Sequence, residues 1–461
     1  MLSEEAFMEW SRDVVDQLKF RGSWGRVGDQ QVDNDLYVPT MSTALSTWIG
    51  SDGSRANFVG TPNAVSAAIT WQQLVDLNLG VDTRFFGNRL GVTFDWFRRD
   101  MQNAIVPAEG VPLTFGTSAP QGNFGSLRTT GFDLAVDFNH RFDNGLGINV
   151  RGNLSDAKAV ITAYGTTESV NGNYVGRTVG EIWGYRTDRL YQESDFELDA
   201  DGNLQMITLT EAESAEYAGQ RVYKLKNGPN GEKPVYQAFL QNSADFFFGP
   251  GDVKFRDLNG DGELDNGNSL LDDHGDLAII GNTTPRYEYG FRLGADYKGF
   301  DFSVFFQGIG SRQMWGVGSL AIPGYHASDG AMPAAIVNNY WTPDHTDAFY
   351  PRAYNNAGAN TGNNMHVQDR YLLDMSYLRM KNLTVGYSLP QSVLGKVGAN
   401  TLRVYVALEN FLTWDNLGGL PIDPEEISGF SMWNQSNYNL GRSGAGIPTF
   451  KSASFGVQLN F

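Results

Sequence analysis

The stretch Phe450-Lys-Ser-Ala-Ser-Phe-Gly-Val-Gln-Leu-Asn-Phe461 alternates at the two-residue period of a β-strand. Phe455, Val457, Leu459 and Phe461 share one face, and Ser454, Gly456, Gln458 and Asn460 share the other. A strand with lipid on its outer side and water on its inner side must read this way, because every spanning backbone group has to be paired within a closed sheet. A half-buried strand of a soluble sandwich alternates equally well, so repetition along the chain has to decide.

The pattern does recur. Leu18, Phe20, Gly22 and Trp24 interleave with Lys19, Arg21, Ser23 and Gly25, and Leu90, Val92, Phe94 and Trp96 with Arg89, Gly91, Thr93 and Asp95. Phe132 to Phe138, Phe291 to Tyr297 and Val404 to Leu408 repeat it, with charged residues on the second face. Charges opposite so many large aromatics suit a wet lumen better than a sandwich exterior. Ten spans follow, near 17–27, 69–85, 89–100, 126–140, 146–158, 285–298, 300–312, 371–389, 400–412 and 450–461.

Connections fall into two classes. Phe86-Gly-Asn-Arg89, Phe142-Asp-Asn-Gly-Leu146 and Tyr297-Lys-Gly-Phe300 are tight hairpin signals, and 390–400 is a modest turn. Between them lie long polar stretches near 27–68, 100–125, 158–284, 313–370 and 413–449. Short turns at one rim and long loops at the other are the layout of an outer-membrane barrel with its long loops extracellular. Ten crossings that start on the short-turn side end there, which places Phe461 at the periplasmic rim. The segment from Glu181 to Tyr191 adds either a hairpin or part of an external lobe, and parity allows zero or two further crossings. One span changes phase: Leu383, Val385 and Tyr387 have one parity, and Leu378 and Met380 the other. A bulge near Lys381 and Asn382, or the membrane boundary, accounts for the change.

Composition narrows the class. No run of about 18 apolar residues is present, which argues against transmembrane helices. With 52 acidic and 34 basic residues the net charge is −18, which argues against a nucleic-acid surface. The absence of Cys excludes disulfides and thiolate metal sites. The start, Met1-Leu-Ser-Glu-Glu-Ala-Phe-Met-Glu-Trp10, lacks the basic and apolar regions of a secretory signal.

Several strings resemble the SusC-like branch of the TonB-dependent outer-membrane transporters of Bacteroidetes. They are Leu18-Lys-Phe-Arg-Gly-Ser-Trp-Gly-Arg-Val-Gly28, Thr130-Gly-Phe-Asp-Leu134, Gly180-Glu-Ile-Trp-Gly-Tyr185 and Gly251-Asp-Val-Lys-Phe-Arg-Asp-Leu-Asn-Gly-Asp-Gly262. Ile280-Gly-Asn-Thr-Thr-Pro-Arg-Tyr287, Tyr377-Leu-Arg-Met-Lys-Asn-Leu383 and Tyr405-Val-Ala-Leu-Glu-Asn-Phe411 continue the match. The resemblance implies an all-β fold: an antiparallel transmembrane β-barrel, with residues 1–461 as the carboxyl-terminal part of a barrel of about 22 strands. It implies a bacterial outer-membrane location, a SusD-like surface lipoprotein over the long loops, and coupling to TonB through a plug domain. Neither plug nor signal peptide is recognisable here, so the remaining strands are expected from another chain or an upstream product. A closed ten-strand barrel is the alternative.

One acidic loop carries metal-like spacing. Asp257, Asn259, Asp261, Glu263 and Asp265 place oxygens at positions 1, 3, 5, 7 and 9 of an EF-hand-type calcium loop, with Gly262 at the sharp turn. Position 12 is Asn268 rather than Glu, so Asp272 or Asp273 would have to close the shell. An Asx- and Gly-rich turn without an ion fits the same string. Calcium, if bound, would brace an external loop, with Glu263 ligating through its backbone oxygen.

No catalytic assembly is visible. His140, His274, His326, His345 and His366 lack metal-ligand spacing, and Asp344-His345 and Asp272-Asp-His274 read as coincidences in loops rich in Asp and Asn. Trp315, Tyr325, Tyr340, Trp341, Tyr350, Trp414 and Trp433 lie in or beside the long loops. Such rings suit sugar stacking, an interfacial girdle, or packing of the loops. The expected function is therefore non-enzymatic uptake of a nutrient, an oligosaccharide or else a peptide, across outer-membrane lipid. A passive porin or surface adhesin, and a soluble carbohydrate-binding β protein, are the competing classes.

Overall fold

A computed structural model describes residues 5–11, 13–29, 36–66, 69–108, 113–117, 119–165, 168–241, 246–316, 334–354, 360–394, 400–425 and 449–460. Ten long strands run through it: β1 (Val15–Asp29), β2 (Gln72–Phe85), β3 (Leu90–Pro107), β4 (Gln121–Arg141), β5 (Gly147–Ala163), β6 (Arg286–Tyr297), β7 (Phe300–Ser311), β8 (Tyr377–Ser388), β9 (Thr401–Asp415) and β10 (Ser452–Asn460). They correspond one for one to the ten expected spans. Several are longer than expected: β3 continues to Pro107 and β5 to Ala163. Backbone pairing needs a register but not apolar side chains, so a strand can continue past its hydrophobic stretch. Among the described residues no helix is long and apolar enough to cross a membrane.

The chain divides into two compact units, Met1–Val136 with Ser155–Val179, and Asp137–Leu154 with Gly180–Phe461. Strands β4 and β5 supply residues to each. In the first unit the hydrogen-bonded order is β1, β2, β3, β4, β5; in the second it is β4, β5, β6, β7, β8, β9, β10. The ladders joining β1 to β3 and β6 to β10 are antiparallel. The Lys298-Gly299 turn has positive φ at both residues (47° and 85°). This is the twist-matched two-residue hairpin, and it sets Tyr297 opposite Phe300.

Register shows which face is which. In the second unit Phe302, Val385, Val406 and Phe455 form one row across β7 to β10. Their exposures are 41, 46, 46 and 72%. Large apolar side chains uncovered by protein in a continuous row identify a lipid-facing surface. The neighbouring row on the opposite face is Ser303, Thr384, Ala407 and Ser454. In the first unit Phe20, Val81 and Phe94 align on one face, and Arg21, Gly80 and Asp95 on the other. β10 ends at Asn460, paired with Thr401 beside the short 389–400 connection; Phe461 lies outside the described residues.

The phase change in β8 is a bulge. Between Met380 and Asn382 the strand advances two residues while β7 advances one, from Phe306 to Phe305. β9 compensates by advancing three, from Glu409 to Leu412, with Asn410 in the left-handed region at φ 54°. Asn tolerates that conformation better than most residues. The extra residue keeps Met380 and Leu378 in the same rows as Phe306 and Gly308. The apolar face thus continues unbroken although the sequence parity flips.

The long excursions are folded. Glu181–Tyr185 pairs with Leu277–Asn282, Thr187–Leu190 with Val253–Phe255, and Met206–Thr208 with Arg221–Tyr223. These short pairs are separate from the ladder of long strands, so 181–191 belongs to a lobe and adds no crossing. The lobe has its own core, in which Tyr191, Phe196, Leu240 and Val253 are fully buried.

Candidate functional site

The inner face carries cross-strand ion pairs built over glycines. Arg21 on β1 reaches over Gly80 on β2 to Asp95 on β3 (2.8 and 2.9 Å) and also pairs with Asp82 (2.9 and 3.0 Å). A Cβ on Gly80 would sit 2.8 Å from the Arg21 guanidinium carbon, so only glycine leaves room for the clamp. The second unit repeats the device. Arg403 on β9 grips Asp301 on β7 (2.9 and 2.6 Å) across Gly386 on β8, and Arg141 reaches Asp296 at 2.7 Å beside Gly147. Each clamp lies near a short-turn end of its strands and spans three strands, a staple that a pairwise ladder does not supply.

At the β8 bulge a denser cluster forms. Arg379, with 6% side-chain exposure, pairs with Asp423 (2.6 Å) and Glu425 (2.5 Å), and Lys381 pairs with Glu425 (2.9 Å). Arg379 Nε also donates to Thr413 Oγ1 at 2.9 Å. The bulge brings two cations to the same side, and the 421–425 segment returns to the wall to neutralise them. Removing one partner from so enclosed a pair would leave the other charge uncompensated.

A second node locks two excursions into one body. Asp252 is fully buried and accepts hydrogen bonds from Gly249 N–H (2.8 Å), Tyr354 O–H (2.8 Å) and Asn364 Nδ2 (2.7 Å). Burial pushes its carboxyl above the usual range, against the pull of Arg352 and these donors. Val253 N–H donates to Asn364 Oδ1 and Thr187 N–H to Asp369 Oδ1, while Arg352 N–H meets the Gly251 carbonyl and Tyr185 N–H the Val367 carbonyl. Residues 181–282 and 334–376 are therefore hydrogen-bonded to one another, which two independent loops would not be.

Beside this body lies a cavity of about 230 Å³ lined by Phe349, Tyr350, Tyr371, Arg370, Asn339 and Asn416, with leucines completing it. Tyr350 and Tyr371 stack at 5.8 Å and 18°, and Phe349 meets both edge-on. Arg370 lies over Phe349 at 5.0 Å and donates to the Phe349 carbonyl at 2.9 Å. Asn416 donates to Ser376 Oγ at 2.8 Å. Aromatic faces ringed by planar amide and guanidinium groups can stack on a flat apolar ligand face and bond its hydroxyls.

The seven aromatics expected near the loops separate accordingly. Trp315, Trp341 and Tyr350 are buried and pack the loops. Trp414 is exposed on β9 beside Phe306 at 6.4 Å, in the wall, and Tyr340 is half-buried. Tyr325 and Trp433 lie outside the described residues. Phe349, Arg370 and Tyr371, which line the cavity, carry no distinguishing signal in the sequence.

The 257–265 loop is closed by its own groups. Asp257 accepts from Gly260 N–H (2.6 Å) and Gly262 N–H (3.0 Å), Asn259 from Asp261 N–H (3.1 Å), Asp261 from Glu263 N–H (2.8 Å), and Asp265 from Gly267 N–H (2.8 Å). Glu263 turns away to Ser214 Oγ and Ala215 N–H. Buried Asp276 caps the loop, taking Leu258 and Asp265 N–H, and burial raises its carboxyl. Among the described residues no group of three or more His, Asp or Glu side chains is placed to hold a metal. The histidines are dispersed: His274 lies tilted against Trp183 (5.2 Å), His345 faces Asp347 (3.4 Å), and His366 is half-buried against the Leu240 carbonyl (3.2 Å). His140 meets Phe142 edge-on at 4.4 Å, and His326 lies outside the described residues.

No protein-family model matches the chain. In sequence it is similar to TonB-dependent receptor P3 of Formosa agariphila, 25% identical over 474 residues that take in 100% of this chain and 41% of that protein. TonB-dependent receptor SusC of Bacteroides thetaiotaomicron is 23% identical, covering 93% of this chain and 37% of its own length. The solved RagAB peptide transporter superposes with a TM-score of 0.62 at 18% identity, covering 100% of this chain and 42% of that one. The chain thus spans about two fifths of the length of the relatives it matches.

Proposed function

We propose that the chain is a barrel segment of a SusC-like TonB-dependent transporter of the bacterial outer membrane, and that it forms wall and outer loops for active import of an oligosaccharide. The observation that carries this reading is the similarity over the whole chain to TonB-dependent receptors, SusC among them, joined to a wall with one lipid-facing and one charged face. A SusD-like lipoprotein is the proposed partner over the interlocked loops. TonB, acting through a plug domain outside this chain, is the proposed energy source. The wall supplies a lumen surface and no bond-breaking chemistry. Within this reading the aromatic cavity at Phe349 and Tyr371 contacts a sugar ring, and the 257–265 loop is braced by its own hydrogen bonds.

Peptide import is the second reading, favoured by the fold shared with the RagAB peptide transporter. Uptake of labelled oligosaccharides and peptides by cells expressing the full transporter separates the two. Saccharide uptake that falls in a Phe349→Ala/Arg370→Ala variant supports the proposal; peptide uptake without saccharide uptake refutes it.

A further inference from the structure

The lobe bears an open groove of about 630 Å³ between the segments 188–195, 225–235 and 254–257. Five basic side chains line it, Arg189, Lys226, Lys233, Lys254 and Arg256, in a chain whose net charge is −18. Nearby carboxylates are mostly engaged. Asp195 takes both Arg189 terminal nitrogens at 2.6 Å, Asp257 holds the glycine N–H groups of its own loop, and Glu232 accepts from Asn230 Nδ2. Asp188 alone faces Lys254 (3.6 Å), Arg189 (3.8 Å) and Arg256 (4.0 Å). Lys226 and Lys233 donate to the backbone carbonyls of Ser194 (3.1 Å) and Ala212 (3.3 Å). The five cations thus stand against four carboxylates, and Lys226 and Lys233 meet backbone carbonyls rather than carboxylates, a balance that favours an anion offering charge-assisted hydrogen bonds along the cleft.

We propose that this groove binds an anionic oligosaccharide bearing carboxylate or sulfate groups. The proposal rests on the nutrient-import reading and narrows its substrate class. The bordering backbone argues against a peptide strand. Lys226, Gly228 and Arg256 N–H groups already donate to the Asp195, Glu232 and Arg186 carbonyls, so they are not available for strand addition. What the groove presents to a ligand is spaced side-chain charge, which suits repeating acidic substituents.

Calorimetric titration of the detergent-purified full transporter tests this, with uronate, sulfated and neutral oligosaccharides of equal length and a poly-glutamate peptide as probes. The expected result is salt-sensitive binding of the uronate or the sulfated probe, which of the two identifying the acidic group, and none of the neutral one. A Lys254→Glu/Arg256→Glu variant should bind about tenfold more weakly or worse, and Lys254→Gln/Arg256→Gln should fall between. The Gln pair guards against misfolding, because it removes charge without placing new carboxylates beside Asp188. Equal binding of neutral and anionic probes, no binding of either acidic saccharide, anion binding indifferent to both variants, or poly-glutamate binding that matches the saccharide would overturn the assignment. Uptake of any nutrient by cells carrying the full transporter reports on the import reading independently.

Discussion

Replacing Asp252 by alanine should release the two excursions that it ties together. The carboxylate accepts from three donors. Tyr354 is half-exposed and can turn its hydroxyl to water, whereas the Gly249 N–H and the Asn364 amide are buried. Each stranded buried donor costs about 1–3 kcal/mol. Two of them, offset by relief of the carboxylate's own desolvation, give a net loss of about 3 kcal/mol, or roughly a hundredfold in the local opening equilibrium. Asp252→Asn should be milder, because one amide oxygen survives while its NH2 must face a donor. pH adds a signature. Burial raises the folded carboxyl above its unfolded value, so the folded state holds its proton longer, and stability falls as pH climbs from the unfolded value toward the folded one. The wild type should therefore lose lobe stability across that window, and the Asn variant should not. Hydrogen exchange at Val253, Arg352 and Thr187 amides in detergent measures all three effects. Protection in Asp252→Ala within about threefold of wild type would refute the keystone role.

Three further outcomes are expected. Gly80→Ala places a methyl 2.8 Å from the Arg21 guanidinium carbon; the flexible ends swing apart, at a cost of about 1 kcal/mol. Its effect on thermal midpoint should be much less than additive with Asp95→Asn, and full additivity argues against the staple. Deleting Lys381 removes the extra residue and leaves Asn382, Met380 and Leu378 in regular alternation, with Arg379 still on the lumen face. The folded band on unheated gels should persist in the deletion as in Lys381→Ala; its loss in the deletion alone refutes the register assignment. Finally, a chelator should leave the thermal midpoint unchanged, and stabilisation by micromolar calcium would show that Asp257 to Asp265 bind the ion after all.

The wall strands were legible because a sheet between lipid and water writes its two faces directly into alternating residues. Even the β8 bulge showed in the sequence, as Leu378 and Met380 out of phase with Leu383 and Val385. Its consequence did not show: Arg379 and Lys381 become neighbours of Asp423 and Glu425 only when the intervening loop returns to the wall. The staples were hidden for a related reason. Arg21 and Asp95 are 74 positions apart, and the glycine between them reads locally as a weak strand residue. The acidic loop is ambiguous in sequence, since Asx turns and calcium loops use the same residues at the same spacing; in the fold its carboxylates accept backbone N–H groups of the loop itself.

Alternation, turn chemistry and the absence of long apolar runs thus determined by themselves the fold class, the number of long strands and which residues face outward. These are properties of period and composition, carried by neighbours in sequence. Tertiary structure decided the rest: that the 181–282 excursion is a lobe with its own core, that Asp252 joins it to 334–376, and that cations gather in a groove of an acidic chain. Each depends on side chains far apart in sequence meeting in a low-dielectric interior or a shared cleft, where their energies arise from contacts that no local pattern encodes.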